Sequence, residues 1–492
     1  MQARALVELI GPWSAGTAPL NEQLATGIER LIEAGSLPSG TRVPSERDLS
    51  AELGVSRTTV VAAYDRLRNT GVLRSRRGSG TRVAWRQATP RPATSTRATP
   101  PLPEGRRAAL AYEDDGRSGA GAIQLTIGAF RAPEIVADEI ERSAREDARG
   151  MLRYFGYLPA GLPALREAVA VHLGGLGLAT TADQIVITAG AQQAIDLVAR
   201  VLGGPSGSVI IENPTYPGAI QAFRAAGPRL TPVPVDRDGI LTEIVALHAE
   251  RRPGQLVYVV PTYQNPTGAV LSDRRREDLV RLAVDSGLMI VEDLTASYLS
   301  FEGDAPPPLA TLDTTDQVIT IGSLSKVAWG GLRVGWIRAP REHVARFAAA
   351  KAELDLGTSL LSQAVAVRLF GRFDELQRVA CATAIERLDV MTAALRARLP
   401  SWTWDRPAGG ICLWVRLPAG DGTAFARLAA EYGVIIRAGA TLSVDGSSTD
   451  RIRLAFGEDP DRLREAVDRL AAAWAVFEPG TSPLRPETTV SV

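Results

Sequence analysis

The sequence predicts two folded units of different class: a small, mostly helical one first and a larger α/β one behind it. Three observations predict this. Through residues 1–83 apolar side chains recur at helical spacing, and a proline-, threonine- and arginine-rich stretch follows. Beyond that stretch, short continuous apolar runs alternate with helical segments, the pattern of a mostly parallel sheet covered on both faces. At 492 residues the chain also exceeds one ordinary domain, so two or three are expected.

Composition narrows the class. Hydrophobic content of 45% is enough to bury large cores, and a formal net charge of zero means that any basic patch must be local. The two cysteines, Cys381 and Cys412, cannot build a disulfide framework, and no Cys/His spacing suggests zinc. His172, His248 and His343 are scattered and read as structural or solvated. The first residues carry Arg4 and Glu8 without an apolar segment, so no secretory leader is expected. No run of about 18 apolar residues occurs, so no membrane span is expected either. Both point to a soluble cytoplasmic protein.

In the first unit, Leu20, Leu24, Ile28, Leu31 and Ile32 share one face of a helix over 20–34. Ser45 caps a short helix carrying Leu49 and Leu53, and Gly54 ends it. Ser56 then caps a helix with Val60, Val61, Tyr64 and Leu67 on one side. Two short helices joined by a tight glycine turn form a helix-turn-helix. The second opens Ser56-Arg57-Thr58-Thr59, donors for base edges and phosphates. Residues 72–83 read as a two-stranded wing. From Arg42 to Arg82 nine arginines face four acids, a local balance of +5. A basic wing behind a helix-turn-helix is a phosphate-contact footprint, so double-stranded DNA is the expected partner.

This unit resembles the winged helix-turn-helix of GntR-family regulators. The likeness is carried by Leu37-Pro38-Ser39-Gly40-Thr41-Arg42-Val43-Pro44-Ser45-Glu46-Arg47, by Leu53-Gly54-Val55-Ser56-Arg57-Thr58-Thr59-Val60, and by Gly78-Ser79-Gly80-Thr81. It implies that Arg47, Arg57, Thr58, Thr59 and the wing residues Ser79, Gly80 and Thr81 lie on DNA.

Residues 84–118, with Pro90-Arg91-Pro92 and Pro100-Pro101-Leu102-Pro103, lack the apolar content to order themselves by burial and read as a flexible linker. Residues 119–479 form the large unit, and the Pro/Thr-rich tail 480–492 is expected to be disordered. Strands are expected at 185–188, 209–211, 256–260, 288–291 and 318–321.

Of 55 basic residues in the chain, only Lys326 and Lys351 are lysines. Arginine evidently serves for exposed positive charge here, so a lysine is best explained where an amine is needed. An amine can lose its proton and form a Schiff base, whereas a guanidinium stays protonated. Lys351, in the alanine-rich run 348–354, reads as a solvated helix lysine. Lys326, in Ser323-Leu324-Ser325-Lys326, follows a strand end, where α/β sheets place ligands.

A Schiff-base lysine for pyridoxal 5′-phosphate needs company. Asp293, at another strand end, can keep the pyridine nitrogen protonated. Gly190, Ala191 and Gln192 open a helix after a strand and offer backbone donors to a phosphate. Ser323 adds a hydroxyl and Arg333 a guanidinium. Tyr216 can stack on the ring, and Asn265 can donate to its phenolic oxygen.

The large unit resembles the fold-type I aminotransferases over residues 119 to 478. The motifs are Gly156-Tyr157-Leu158-Pro159-Ala160-Gly161, Asn265-Pro266-Thr267-Gly268, Ser323-Leu324-Ser325-Lys326 and Arg451-Ile452-Arg453-Leu454. The resemblance implies an α/β pyridoxal-phosphate-dependent transferase fold with a small C-terminal α+β subdomain. It also implies that Tyr157 reaches the partner subunit's cofactor and that Arg453 pairs with an α-carboxylate. One position departs from the pattern. Two residues after Asp293, where a tyrosine usually holds the ring's phenolic oxygen, stands Thr295, and Tyr298 is out of register.

Both halves together resemble the MocR-type regulators. That implies a pyridoxal-phosphate-dependent transcriptional regulator sensing the cofactor, or its adduct with an amine or amino acid. It also implies a domain-swapped homodimer on an operator with two half-sites. Two other readings stay open: a working aminotransferase with a DNA-binding head, and a body that is only a dimerisation scaffold.

Overall fold

A computed structural model describes residues 3–11, 13–14, 19–33, 37, 41–69, 72–76, 80–83, 121–251 and 255–478. The linker 84–118, the tail 480–492 and Ser79 lie outside the described residues.

The N-terminal unit comprises helices α1 (Ala3–Ile10), α2 (Leu20–Glu33), α3 (Glu46–Leu53) and α4 (Arg57–Asn69), then the hairpin β1 (Leu73–Arg76) and β2 (Gly80–Val83). Its boundaries follow from local chemistry. The Ser45 hydroxyl accepts from the Asp48 amide at 3.2 Å, Gly54 turns left-handed at φ 66°, and the Thr59 amide donates to the Ser56 hydroxyl at 3.1 Å. Leu24, Ile28, Leu49, Val60, Tyr64 and Leu67 meet in one core with the wing's Leu73 and Val83. The Tyr64 hydroxyl donates to the Pro44 carbonyl at 3.0 Å. Leu20, expected on the buried face, is exposed because it is the first residue of α2 and lies beyond the core. Leu6 of α1, a helix that the periodicity did not reveal, adds to that core instead.

The large unit begins with β3 (Ile123–Gln124), α5 (Glu134–Glu146), α6 (Ala148–Met151) and α7 (Pro163–Gly175). Alternation follows: β4 (Ile185–Thr188), α8 (Ala191–Val198), β5 (Ser208–Asn213), α9 (Pro217–Ala226), β6 (Arg229–Asp236), β7 (Gly239–Ile240), α10 (Thr242–Arg251), β8 (Leu256–Val259), α11 (Asp273–Ser286), β9 (Met289–Asp293), β10 (Val318–Ser323) and β11 (Gly335–Arg338). Then come α12 (Arg341–Asp355), α13 (Leu360–Phe370), α14 (Phe373–Arg398), β12 (Cys412–Arg416), α15 (Gly422–Glu431), β13 (Val434–Ile435), β14 (Arg437–Ala438), β15 (Arg451–Ala455) and α16 (Pro460–Val476).

Eight strands form the main sheet in the order β4-β11-β10-β9-β8-β5-β6-β7. From β10 to β6 every pairing is parallel, while β11 runs antiparallel to both neighbours. Both faces are dry, which is why these strands read as continuous apolar runs. Ile187, Ile210, Val257 and Ile290 pack into one layer, and Val186, Ile211, Tyr258 and Val291 into the other. A second, antiparallel sheet, β12-β15-β14, packs with α14, α15 and α16 around Met391, Leu413, Phe425, Leu454 and Leu470. It is the expected small α+β subdomain. Trp402, Phe425 and Trp474 lock its core edge-to-face, with centroids 5.2–5.4 Å apart.

Candidate functional site

The parallel strands deliver their C-terminal ends to one side of the sheet, where chemistry-bearing residues gather around a cavity of about 700 Å³. Lys326 lies in the short π-helical turn, residues 325–329, that follows β10, and it lines this cavity. Its Nζ donates to the Gly128 carbonyl. Burial, and then the positive charge of Arg453, lower its ammonium pKa from 10.5 to about 8, against the opposing pull of Asp293. A reactive, uncharged amine is therefore accessible near neutral pH.

Asp293 ends β9 and is 5% exposed. Its Oδ2 accepts from the Tyr258 hydroxyl at 2.8 Å, and its Oδ1 from the Thr295 amide at 2.8 Å. Burial, and then the Asp293 charge, hold the Tyr258 phenol well above its ordinary pKa, so it stays a neutral donor. Sequence reasoning missed Tyr258. Its signal was a phenol inside the otherwise aliphatic run 256–260.

At another wall, Gly190 caps α8 with φ 87°. A Cβ there would come within 2.9 Å of Arg333 Nη2, so glycine lets the guanidinium sit against the helix start. Ala191 and Gln192 of α8 line the cavity, and so does Arg333. The loop before α8 is clamped from behind. Gln193 Oε1 accepts from the Ala189 amide and from Lys351 Nζ, both at 2.8 Å, while Lys351 also contacts both Asp355 oxygens at 2.9 and 2.7 Å. Lys351 is thus not the solvated lysine expected from its alanine-rich helix. It is fully buried, because that face of α12 packs on α8 and supplies Asp355 one turn on.

Tyr216 precedes α9 on the cavity wall, and Asn265 lies at a cis peptide to Pro266. The preceding Gln264 fixes that loop. Its Nε2 donates to Glu212 Oε2 at 3.1 Å and to the Pro214 carbonyl at 2.7 Å. Burial pushes the Glu212 carboxyl up to about 8. Arg453, on β15 and 3% exposed, donates through Nη1 to Asn265 Oδ1 at 3.1 Å and through Nη2 to the Thr126 carbonyl. Its buried Nε has no acceptor among the described residues.

Two expected residues lie off the wall. Ser323 is fully buried, its hydroxyl donating to the Val334 carbonyl at 3.1 Å and accepting from the Ser325 amide at 3.1 Å. As the last residue of β10 it packs into the core, and Ser325, which opens the helical turn after the strand, lines the cavity instead. Tyr157 is 68% exposed on a loop outside the cavity, near the exposed Leu152, Tyr154 and Phe155 in sequence. Thr295 does line the cavity, with its Oγ1 buried and unpartnered among the described residues. Tyr298 points elsewhere, packing on His172 and Phe373 at 5.3 and 5.1 Å. Arg437 and Cys412 are further cavity residues that no motif announced.

In the N-terminal unit, Arg47 of α3 and Arg57 and Thr58 of α4 are exposed, and Thr59 is half-buried. The Ser56 hydroxyl meets those of Thr58 and Thr59 at 2.8 and 2.7 Å. In the wing, Thr81 pairs with Ser75 at 2.8 Å, and Gly80 has φ 78°. Among the described residues no helix is long and apolar enough to cross a membrane.

Comparison with known proteins agrees with both halves. The family model of class I and II aminotransferases matches residues 120–470, and that of bacterial regulatory proteins of the gntR family matches residues 20–83. The chain is 32% identical over 412 residues to YisV, an uncharacterized HTH-type transcriptional regulator of Bacillus subtilis, covering 82% of this chain and 85% of that one. It is 30% identical over 495 residues to MocR of Rhizobium meliloti, a probable rhizopine catabolism regulatory protein, covering 95% and 96%. The crystal structure of LysN, the α-aminoadipate aminotransferase of Thermus thermophilus, complexed with N-(5′-phosphopyridoxyl)-L-leucine, is similar at 30% identity. Its TM-score is 0.67 over 75% of this chain and 98% of that one. The chain belongs to the MocR-type transcriptional regulators, in which a GntR-type DNA-binding head is fused to a pyridoxal-phosphate-dependent body of the class I and II aminotransferase fold.

Proposed function

We propose that this regulator senses pyridoxal 5′-phosphate, or an amine or amino acid that meets it, in the cavity around Lys326, and that Lys326 captures the cofactor. The observation that carries the reading is one cavity holding a lysine with a lowered pKa, a strand-end carboxylate and a buried arginine with an unused Nε. The donor set fits the cofactor. Gly190 leaves room for Arg333 beside the α8 N-terminus, whose Ala191 and Gln192 suit a phosphate with Ser325. Asp293, oriented by Tyr258 and the Thr295 amide, would hold a proton on the ring nitrogen. Tyr216 would cover the ring face. Asn265, its carbonyl engaged by Arg453, would present its amide hydrogens to the phenolic oxygen. When bound, the cofactor supplies an electron-withdrawing ring and an amine-reactive aldehyde. Arg453 would orient an incoming carboxylate.

The apolar set Leu152, Tyr154, Phe155 and Tyr157, exposed on a single chain, supports a homodimer in which Tyr157 serves the neighbouring subunit's site. Arg47, Arg57, Thr58, Thr59, Gly80 and Thr81, with Ser79, would contact DNA, two heads meeting two half-sites in the cytoplasm. A working aminotransferase is the second reading. Thr295 disfavours it, since no phenol stands two residues after Asp293 to stabilise the ring's anionic oxygen.

Two measurements test this. Titration with pyridoxal 5′-phosphate should give a saturable visible band that Lys326→Ala lacks. Mobility shifts on the protein's own promoter region should differ with and without cofactor. Equal affinity and identical footprints would rule out cofactor sensing. Rapid conversion of the cofactor to its amine form by amino acids would favour the enzyme.

A further inference from the structure

One of the chain's two lysines lines the cavity, and the other, Lys351 on α12, does not. It is 0% exposed all the same. Its Nζ donates to Gln193 Oε1 at 2.8 Å and to the two Asp355 oxygens at 2.9 and 2.7 Å. Three oxygens thus converge on one nitrogen that has three hydrogens to give. A guanidinium spreads its donors over a planar fork and cannot bring them to one point, which accounts for a lysine in a chain otherwise furnished with arginine. A buried ion pair is, as a rule, no more stabilising than an apolar pair of the same volume, so this one calls for a geometric reason.

Gln193 supplies that reason. Its Nε2 donates to Asp355 Oδ2 at 2.7 Å, and its Oε1 accepts from the Ala189 amide at 2.8 Å. Turned over, the side-chain amide would aim its N–H groups at the Ala189 N–H and at the ammonium, and its oxygen at a carboxylate. Lys351 and Asp355 therefore permit one orientation of Gln193. Asp355 is itself held from the backbone, its Oδ1 accepting from the Gly357 amide at 3.0 Å. On the cavity side, the Ala189 carbonyl accepts from Arg333 Nη2. Ala189 thus joins the clamp behind it to the cavity's arginine in front, and Gly190, Ala191 and Gln192 follow it directly. We infer that Lys351 is a positioning residue for the cofactor's phosphate: by fixing Gln193 it fixes Ala189, and with it the amides that open α8 and the seat of Arg333. This rests on the reading of the cavity as the cofactor site, and it gives a part in that site to a residue outside the cavity lining.

The test compares pyridoxal 5′-phosphate with pyridoxal, which keeps the ring and the aldehyde but has a hydroxyl in place of the phosphate. Each is titrated to saturation into the full chain as wild type, Lys351→Met and Gln193→Ala, and the visible band at Lys326 is followed. Pyridoxal also closes on itself to a hemiacetal, but it does so alike before every protein, so this cancels in each ratio to wild type. Lys351→Met should weaken pyridoxal 5′-phosphate about tenfold or more and pyridoxal by less than about twofold. Asp355 is 30% exposed on its side chain, so water can take the place of the lost partner. Gln193→Ala, which leaves the Lys351–Asp355 pair standing, should give the same phosphate-selective loss. The double variant should lose no more than the worse single one, because both changes cut one linkage. Equal losses for the two aldehydes would make Lys351 a support of the fold alone and overturn the inference. Undiminished affinity for pyridoxal 5′-phosphate in Lys351→Met, or additive losses in the double variant, would overturn it too. A wild type without the band removes the cofactor reading and this inference with it, whereas a band without phosphate-selective loss removes this inference alone.

Discussion

Lys326 owes its chemistry to its surroundings. Its amine is buried and faces Arg453, and both effects disfavour the ammonium form. Covalent capture needs the neutral amine, so the capture rate should rise with pH around a midpoint near 8, not near the ordinary lysine value. Arg453→Leu removes a like charge and should move the midpoint upward. Stopped-flow absorbance across pH reads both, and a wild-type midpoint above about 10 would show that the amine is not perturbed. At this scale the sequence was partly legible. Residues that announce themselves by type at a strand end, Lys326, Asp293 and Arg333, do line the cavity. Ser323 and Ser325 could not be ranked, because the motif contains both and does not show that the strand ends at the first and a helical turn begins at the second. Lys351 was misread because alanine neighbours do not reveal which face of a helix is covered, although Asp355 at i+4 was visible.

Among the elements, β4, β5, β8, β9 and β10 were legible because burial on both faces writes an unbroken apolar run. The eight-residue β6 was hidden by Pro232 and Pro234, which it tolerates because most of its outer edge is unpaired, β7 being only two residues long. The antiparallel sense of β11 left no local mark, since strand direction is set by tertiary pairing. A buttress behind the elements yields another prediction. Glu212 at the end of β5 holds the Gln264 loop against β8, accepting from the Val260 amide at 3.1 Å. Its carboxyl titrates near 8 in the fold, against an ordinary value of 4.5. The folded chain therefore keeps a proton that the unfolded chain has released, and stability falls as pH rises between those values. Glu212→Gln carries no such proton. Its Tm should gain on that of the wild type from about pH 5 to about pH 8, by about 3 kcal/mol in stability. Parallel Tm curves for the two proteins would mean that Glu212 is ionised in the fold.

For the whole molecule, the exposed set Leu152, Tyr154, Phe155 and Tyr157 is the feature a lone subunit leaves unaccounted for. Phe155 is completely exposed, so replacing it with aspartate disturbs no core. In a dimer that covers it, Phe155→Asp should give monomers by light scattering and weaken binding to a two-half-site operator at least tenfold, about 1.4 kcal/mol. An unchanged mass would place the interface elsewhere. The scarcity of lysine has a practical consequence at this scale. The chain carries two ε-amines, one sealed in an ion pair with Asp355 and the other in the cavity floor. Amine-directed reagents, which scatter over the surface of most proteins, would here find Lys326 and the chain's α-amino group. Intact mass after brief acylation thereby becomes an occupancy gauge. Whatever fills the cavity should protect one site, and each candidate effector can be ranked by that protection without a coloured product or a known promoter.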